Sequence, residues 1–329
     1  MVLVFMPACA KPEPTPAKPI EMTYSFFVPP IHHAYVLGEA WAREVEKRTD
    51  GRVKITTYSG ETLLKAADTY DGVVKHIADM GFTCLAYTPG RFPLMEVIDL
   101  PLGYPSGTIA TMVTNDFYNK FKPAELADTK LLYFHAHGPG ILHSKKPIRK
   151  LEDIKGLKIR CTGLAAKVVE AMGGVPVAMP NSETYDALAK GVVEASFSPW
   201  EVLKTFKQVE VVDYTTNCYA IGYTTVMWHG MNLEVWNSLP KDIQEVIDEV
   251  SAEWIAKHGA AWDEVDAEAR ELTLAEGNEI IELSAEENAR WAAAARPVWD
   301  ATVAGIEGKG LPGEEALDFA LEAIKKYSK

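Results

Sequence analysis

The sequence predicts an α/β protein of two lobes, each a sheet flanked by helices, joined by crossing strands and a long helix. Three observations carry this reading. The 329 residues suffice for two hydrophobic cores. Strand-period and helix-period runs alternate in two separate blocks, residues 20–87 and 157–207. One helical pattern, Lys241 to Leu274, is long enough to brace both.

In the first block, IEMTYSFFVP (20–29) reads as a strand and Ala34 to Arg48 as an amphipathic helix. Asp50-Gly51 marks a turn before an alternating strand through Val53, Ile55 and Thr57. Ala66 to His76 is helical, and ADMGFTCLAY (78–87) is a buried strand running into a loop. Such β-α-β-α-β order implies a parallel sheet covered on both faces. Strands at 130–140 and 141–148 lead out of this unit. The second block repeats the pattern without repeating the sequence: strands 157–160, 175–179 and 192–197, helices 164–172, 182–190 and 200–207.

Tyr214 to Asn232, rich in β-branched and aromatic residues, carries the chain back to the first lobe. Pro240 suits the first turn of the long helix, which carries Trp254 and Trp262. Ser284 and Glu287 have capping-box spacing for a next helix, which Pro297 should kink or interrupt; Gly313 to Lys326 closes the chain as a helix. The predicted partition is 21–143 with 228–270 for one lobe, and 144–227 with 271–329 for the other and the C-terminal helices.

A net charge of −13 makes nucleic acid an unsuitable partner and excludes long-range attraction of anions. An anion recognised here must meet local cations. Residues 1–20, MVLVFMPACAKPEPTPAKPI, read as the remnant of a secretory signal followed by a Pro-rich tether. Either Cys9, after Met6-Pro7-Ala8, is a lipidation site, or Ala8-Cys9-Ala10 is an ordinary cleavage site; both place the protein outside the cytoplasm. Cys84, Cys161 and Cys218 have no metal-ligand spacing and read as small buried thiols.

Several motif matches fail on context. GKGLPG (308–313) follows a helix instead of a strand, so it is no dinucleotide fingerprint. Ser238-Leu-Pro-Lys241 is a helix start. His135 and His137 would share a strand face but lack a third ligand nearby, so neither metal nor cofactor is expected. His32-His33 ends the first strand, where it either meets a ligand or forms a surface pair.

Arg160 is the strongest candidate. It ends the apolar strand GLKIR, ahead of Cys161-Thr162-Gly163 and a helix, which is where open sheets bind ligands. A planar guanidinium there can grip a carboxylate through two parallel hydrogen bonds. The alternative is a structural ion pair with one of 46 acidic residues.

Several separated segments resemble the substrate-binding proteins of TRAP (tripartite ATP-independent periplasmic) transporters, C4-dicarboxylate-binding type. They are Gly156 to Arg160, Met172 to Val177, Glu183 to Leu188, and Gly191 to Glu194 with Pro199. In the first block they are Thr49 to Arg52, Ala78 to Gly81, Pro89 to Leu94, and Asp99 to Pro101; Met231-Asn232, Trp236 and Leu239-Pro240 follow. The resemblance spans roughly residues 20–325. It implies a two-lobed periplasmic-binding-protein fold, type II-like, that closes on an organic acid and delivers it to membrane permease subunits without catalysing a reaction. The family's ligand-pairing arginine falls on Arg160. Ser198 stands where the family often has Asn, and Thr216-Asn217-Cys218 keeps the Asn of a Thr-Asn-His stretch but loses the His.

The resulting candidate set is Arg160, Ser198, Phe197, Trp200, Asn181, Glu183, Asn217 and Trp228, with His33 and Tyr87 reaching across from the first lobe. A micromolar receptor needs ~8 kcal/mol. Charge-assisted bonds to Arg160 supply ~1.5–3 kcal/mol each. Burying ~150 Å² of apolar ligand adds roughly 4 kcal/mol. With few polar anchors, an apolar or aromatic body is expected: an aromatic or branched 2-oxo, 2-hydroxy or amino acid. A sensor partnering a receptor kinase and an exported enzyme are the rival readings.

Overall fold

The computed structural model describes residues 18–329; residues 1–17, with Cys9 and its predicted processing site, lie outside the described residues. The chain lays down β1 (Ile20–Phe26), β2 (Val53–Tyr58), β3 (Met80–Cys84) and β4 (Thr129–Ala136) before crossing to a second sheet. There it forms β5 (Ile141–Ser144), β6 (Lys158–Cys161), β7 (Val175–Ala178), β8 (Ala195–Ser198) and β9 (Tyr214–Asn217). It returns as β10 (Val226–Asn232) and crosses once more to β11 (Glu279–Glu282).

The first sheet has the order β2-β1-β3-β10-β4 and the second β11-β9-β5-β8-β6-β7. β1 runs parallel to β2 and β3, and β6 parallel to β7 and β8, as the alternating blocks require. The antiparallel strands are those that enter from the other lobe: β10 against β3 and β4, and β5 against β8 and β9. Because β5 pairs in the second sheet, the first crossover lies at 137–140, and residues 141–143 join the second lobe, not the first as the sequence reading had them.

The helix Lys241–Ala275 turns one stripe inward, through Ile243, Ile247, Val250, Trp254, His258, Trp262, Val265 and Ala269. Its 35 residues span about 52 Å at 1.5 Å per residue. It packs on helices His33–Arg48 and Gly107–Phe121 of the first lobe and on helix Val202–Thr205 and β11 of the second. The helix Ala285–Glu307 starts on Ser284, whose hydroxyl accepts from the Glu287 amide, and runs through Pro297 uninterrupted. The last helix, Gly313–Tyr327, packs against Gly107–Phe121, so the C-terminus reaches back to the first lobe. Cys84, Cys161 and Cys218 are buried free thiols. No described helix is long and apolar enough to cross a membrane.

Where the crossing strands pass, Gly140 faces the Tyr223 ring so closely that a Cβ would stand 2.0 Å from it. Tyr223 is thereby held at the lobe junction, its hydroxyl donating to the Phe197 carbonyl at 2.8 Å.

Candidate functional site

Arg160 is the last residue but one of β6 and is 2% exposed. Its Nε donates to the Met179 carbonyl at 3.1 Å and its Nη1 to the Ser198 hydroxyl at 2.8 Å. The Ser198 hydroxyl lies 2.7 Å from that of Ser196, two residues back on the same face of β8. Nη2 is buried and has no acceptor, and no carboxylate among the described residues pairs with the guanidinium. The structural ion-pair alternative therefore does not hold. A buried cation without an anion is costly, so the arrangement asks for an anion from outside the chain.

Arg160 faces a cleft of about 420 Å³, including the space at its mouth, between the lobes. The first lobe contributes Phe27, Val28, Phe82 and Tyr87, with the Phe27 and Phe82 rings stacked at 5.2 Å. The second contributes Thr162, Asn181, Glu201 and Phe206. Met227 on β10 and Trp262 on the long helix complete an apolar wall. That mixture, aromatic walls with a few polar groups, suits a small ligand with a flat apolar body.

The lobes also touch directly. The Asn181 amide donates to the Tyr87 hydroxyl at 3.2 Å. His32 Nε2 lies 2.8 Å from Glu201 Oε1, both side chains being buried. Gly163, at φ +49, brings its backbone so near Ala86 that a Cβ would stand 2.8 Å from the Ala86 Cβ.

Of the residues expected from sequence, the cleft gathers Arg160, Tyr87 and Asn181 on its wall, with Ser198 behind Arg160. The others lie elsewhere, Phe197 and Trp228 because strand parity decides the face. Phe197 points opposite to Ser196 and Ser198 and packs on Tyr223 at 4.7 Å. Trp228 points opposite to Met227, into the first-lobe core against Tyr70 at 4.7 Å. Asn217 sits on β9, with β5 and β8 between it and β6, and binds Glu282. Trp200 donates its indole N–H to the Tyr219 hydroxyl at 3.3 Å and is not on the cleft wall, and Glu183 is exposed on the first turn of its helix.

His33 turns away from the cleft to meet Trp262 edge-on at 4.3 Å; its neighbour His32 is the one on the wall. The sequence offers the His32-His33 pair as a possible ligand contact and the cleft takes His32 of the two, but from sequence His137 is weighed only as a metal ligand, and Glu201, Phe27, Phe206, Met227 and Trp262 are not singled out. The adjacency of His32 to His33 and of Glu201 to Trp200 was the available signal.

His135, His229 and His258 form the group with metal-compatible spacing among the described residues, their ligating atoms lying within 4.8 Å of one another. The ring nitrogens of His135 and His229 are already engaged, while His258 meets the Tyr133 hydroxyl through Nε2 at 3.3 Å and leaves Nδ1 without a partner among the described residues. His135 Nδ1 accepts from the Trp262 indole at 2.8 Å, so its proton sits on Nε2 and donates to His229 Nε2 at 3.0 Å. His229 then turns Nδ1–H to the Tyr24 hydroxyl. Burial holds all of these rings far toward the neutral form, with His258 down at about 3. His135 and His229 thus form an internal hydrogen-bond relay of the first-lobe core, running from Trp262 to Tyr24.

The profile of the DctP family, bacterial extracellular solute-binding protein family 7, matches residues 27–305. The chain belongs to this family. Over 297 residues it is 29% identical to the C4-dicarboxylate-binding periplasmic protein DctP of Rhodobacter capsulatus, covering 87% of each chain. A TRAP solute-binding protein of Rhodoferax ferrireducens, solved with copurified benzoate, superposes with a TM-score of 0.89 at 28% identity, covering 94% of this chain and 98% of that one. Another from Bordetella bronchiseptica, with bound (R)- and (S)-mandelate, superposes with a TM-score of 0.87 at 30% identity, covering 94% and 100%. DctP-family members are two-lobed solute receptors of TRAP systems and not enzymes, and this chain shares their fold and class.

Proposed function

We propose that this protein captures an organic carboxylate with an aromatic body in the interlobe cleft, holds it through an Arg160 ion pair, and delivers it to the membrane permease of a TRAP transporter. The observation that carries the reading is Arg160, which lines a cleft walled by Phe27, Phe82, Phe206 and Trp262 and whose buried Nη2 has no acceptor among the described residues. A carboxylate answers the guanidinium, and an aryl ring answers the wall. Relatives that bind benzoate and mandelate support the same ligand class. Export to the periplasm follows from the family, and Cys9 is either the lipid anchor or lost with the leader.

Closure is driven by contacts that exist only when both lobes touch the ligand. Ligand contact from the Arg160 side alone would leave the lobes free to part. Calorimetry with benzoate, mandelate and succinate tests the proposal. Aryl acids should bind with micromolar or better affinity and succinate far more weakly. Tight succinate binding with no response to aryl acids would overturn it.

A further inference from the structure

We infer that the cleft holds a second ligand anchor, Oε2 of Glu201, and that the acid it takes therefore carries a hydrogen-bond donor, a hydroxyl or an ammonium, besides its carboxylate. This rests on the carboxylate-receptor reading above and names the rest of the ligand.

Glu201 lies on the cleft wall with its side chain 1% exposed. Its two oxygens are used unequally. Oε1 accepts from Thr205 Oγ1 and lies 2.8 Å from His32 Nε2. His32 spends its Nδ1 lone pair on the Ala34 amide at 3.0 Å, capping the helix His33–Arg48. With Nδ1 accepting, the nitrogen that donates is Nε2, and it faces Glu201. Oε2 has no partner among the described residues.

The cleft wall thus holds a buried donor on Arg160 with no partner among the described residues and, on Glu201, an oxygen to which none of them donates. A ligand bearing only a carboxylate satisfies the first and desolvates the second without return, which is the asymmetry that makes an unmade buried hydrogen bond expensive. A donor elsewhere on the ligand removes that penalty. Two further atoms favour a donor-bearing ligand. Asn181 Oδ1 is a buried acceptor without a partner, and His137, whose Nδ1 bonds the Gly138 carbonyl, keeps Nε2 as an acceptor on the cleft wall. Burial keeps His137 neutral, down at about 4, so that nitrogen accepts at physiological pH.

Three acids on one skeleton separate the possibilities: phenylacetate with no extra donor, mandelate with a hydroxyl, and phenylglycine with an ammonium. In calorimetry on the full chain, at least one of the latter two should bind about tenfold or more tighter than phenylacetate. Mandelate alone would assign the hydroxyl, and phenylglycine alone the ammonium. In Glu201→Gln, whose amide replaces one acceptor by a donor, the preference should collapse. Glu201→Asp, which keeps the charge but shortens the reach, should lose it too and guards against a misfolded first variant.

Equal affinity for all three acids, or a preference that survives in both variants, overturns the inference. Undiminished phenylacetate binding by Arg160→Ala would strike the carboxylate reading itself. Binding of none of the three by the wild type would remove both.

Discussion

The Arg160 guanidinium, on the cleft wall, donates to the Ser198 hydroxyl at 2.8 Å while its buried Nη2 has no acceptor among the described residues. One half of the fork is thus fixed by the protein, and the other is free for a ligand. Ser198→Ala should leave the fold intact and weaken aryl-acid binding by about 1 kcal/mol, because the fork loses its positioning partner and not its charge. Calorimetry of the variant checks this; unchanged affinity would show that Met179 alone holds the arginine.

The His32–Glu201 hydrogen bond spans the two lobes. His32→Ala removes that bridge and the cap of the helix His33–Arg48. Loss of a cap costs about 1 kcal/mol of stability. Ligand affinity should fall further than stability does, through a faster dissociation rate. Stopped-flow displacement alongside thermal unfolding separates the two effects.

Gly163 tests closure without touching the binding groups. At φ +49 with Ala86 across the cleft, a side chain there is strained in its backbone and pushes on the opposite lobe. Gly163→Val should shift the scattering profile with saturating ligand toward an open form and weaken binding. A closed profile at wild-type affinity would contradict the contact.

Acid should destabilise the protein steeply. Burial lowers the pKa of His33, His135, His137, His143, His229 and His258, with His137 and His143 both at about 4. The unfolded chain takes up protons near pH 6.5 that the fold refuses until about pH 4. Stability is therefore full above pH 6.5 and falls as pH drops toward 4, by up to ~1.4 kcal/mol per pH unit for each histidine. Asp99 and Asp266, pushed up by burial, act in the opposite sense by keeping protons in the fold as pH rises above about 4. The histidines outnumber them. Urea midpoints should fall between pH 7 and pH 5, and a rise would contradict the assignment of neutral buried rings.

The two-lobed α/β architecture was legible because alternation and helical spacing repeat in two blocks, and Arg160 because a charge ends an apolar strand. What escaped depends on facts that a linear chain does not display. Phe197 and Trp228 were one residue out of phase with the cleft face of their strands, a parity set by where pairing begins. Asn217 was misplaced because strand order, with β5 and β8 intervening, is a long-range property. Glu201 reads in isolation as an ordinary acid opening a helix; only the fold brings His32 to one of its oxygens. Pro297 did not interrupt its helix, since packing of Trp291, Ala295, Val298 and Val303 outweighs one lost backbone bond.

The central claim is that Arg160 supplies the charge that meets the ligand. Calorimetry of benzoate or mandelate binding to the wild type, Arg160→Ala and Arg160→Lys tests it most directly. Arg160→Ala should lose ~3 kcal/mol or more, roughly a hundredfold in affinity, with a native unfolding profile. Arg160→Lys should recover only part of it, because a point charge cannot replace the fork. Wild-type affinity in Arg160→Ala would contradict the account.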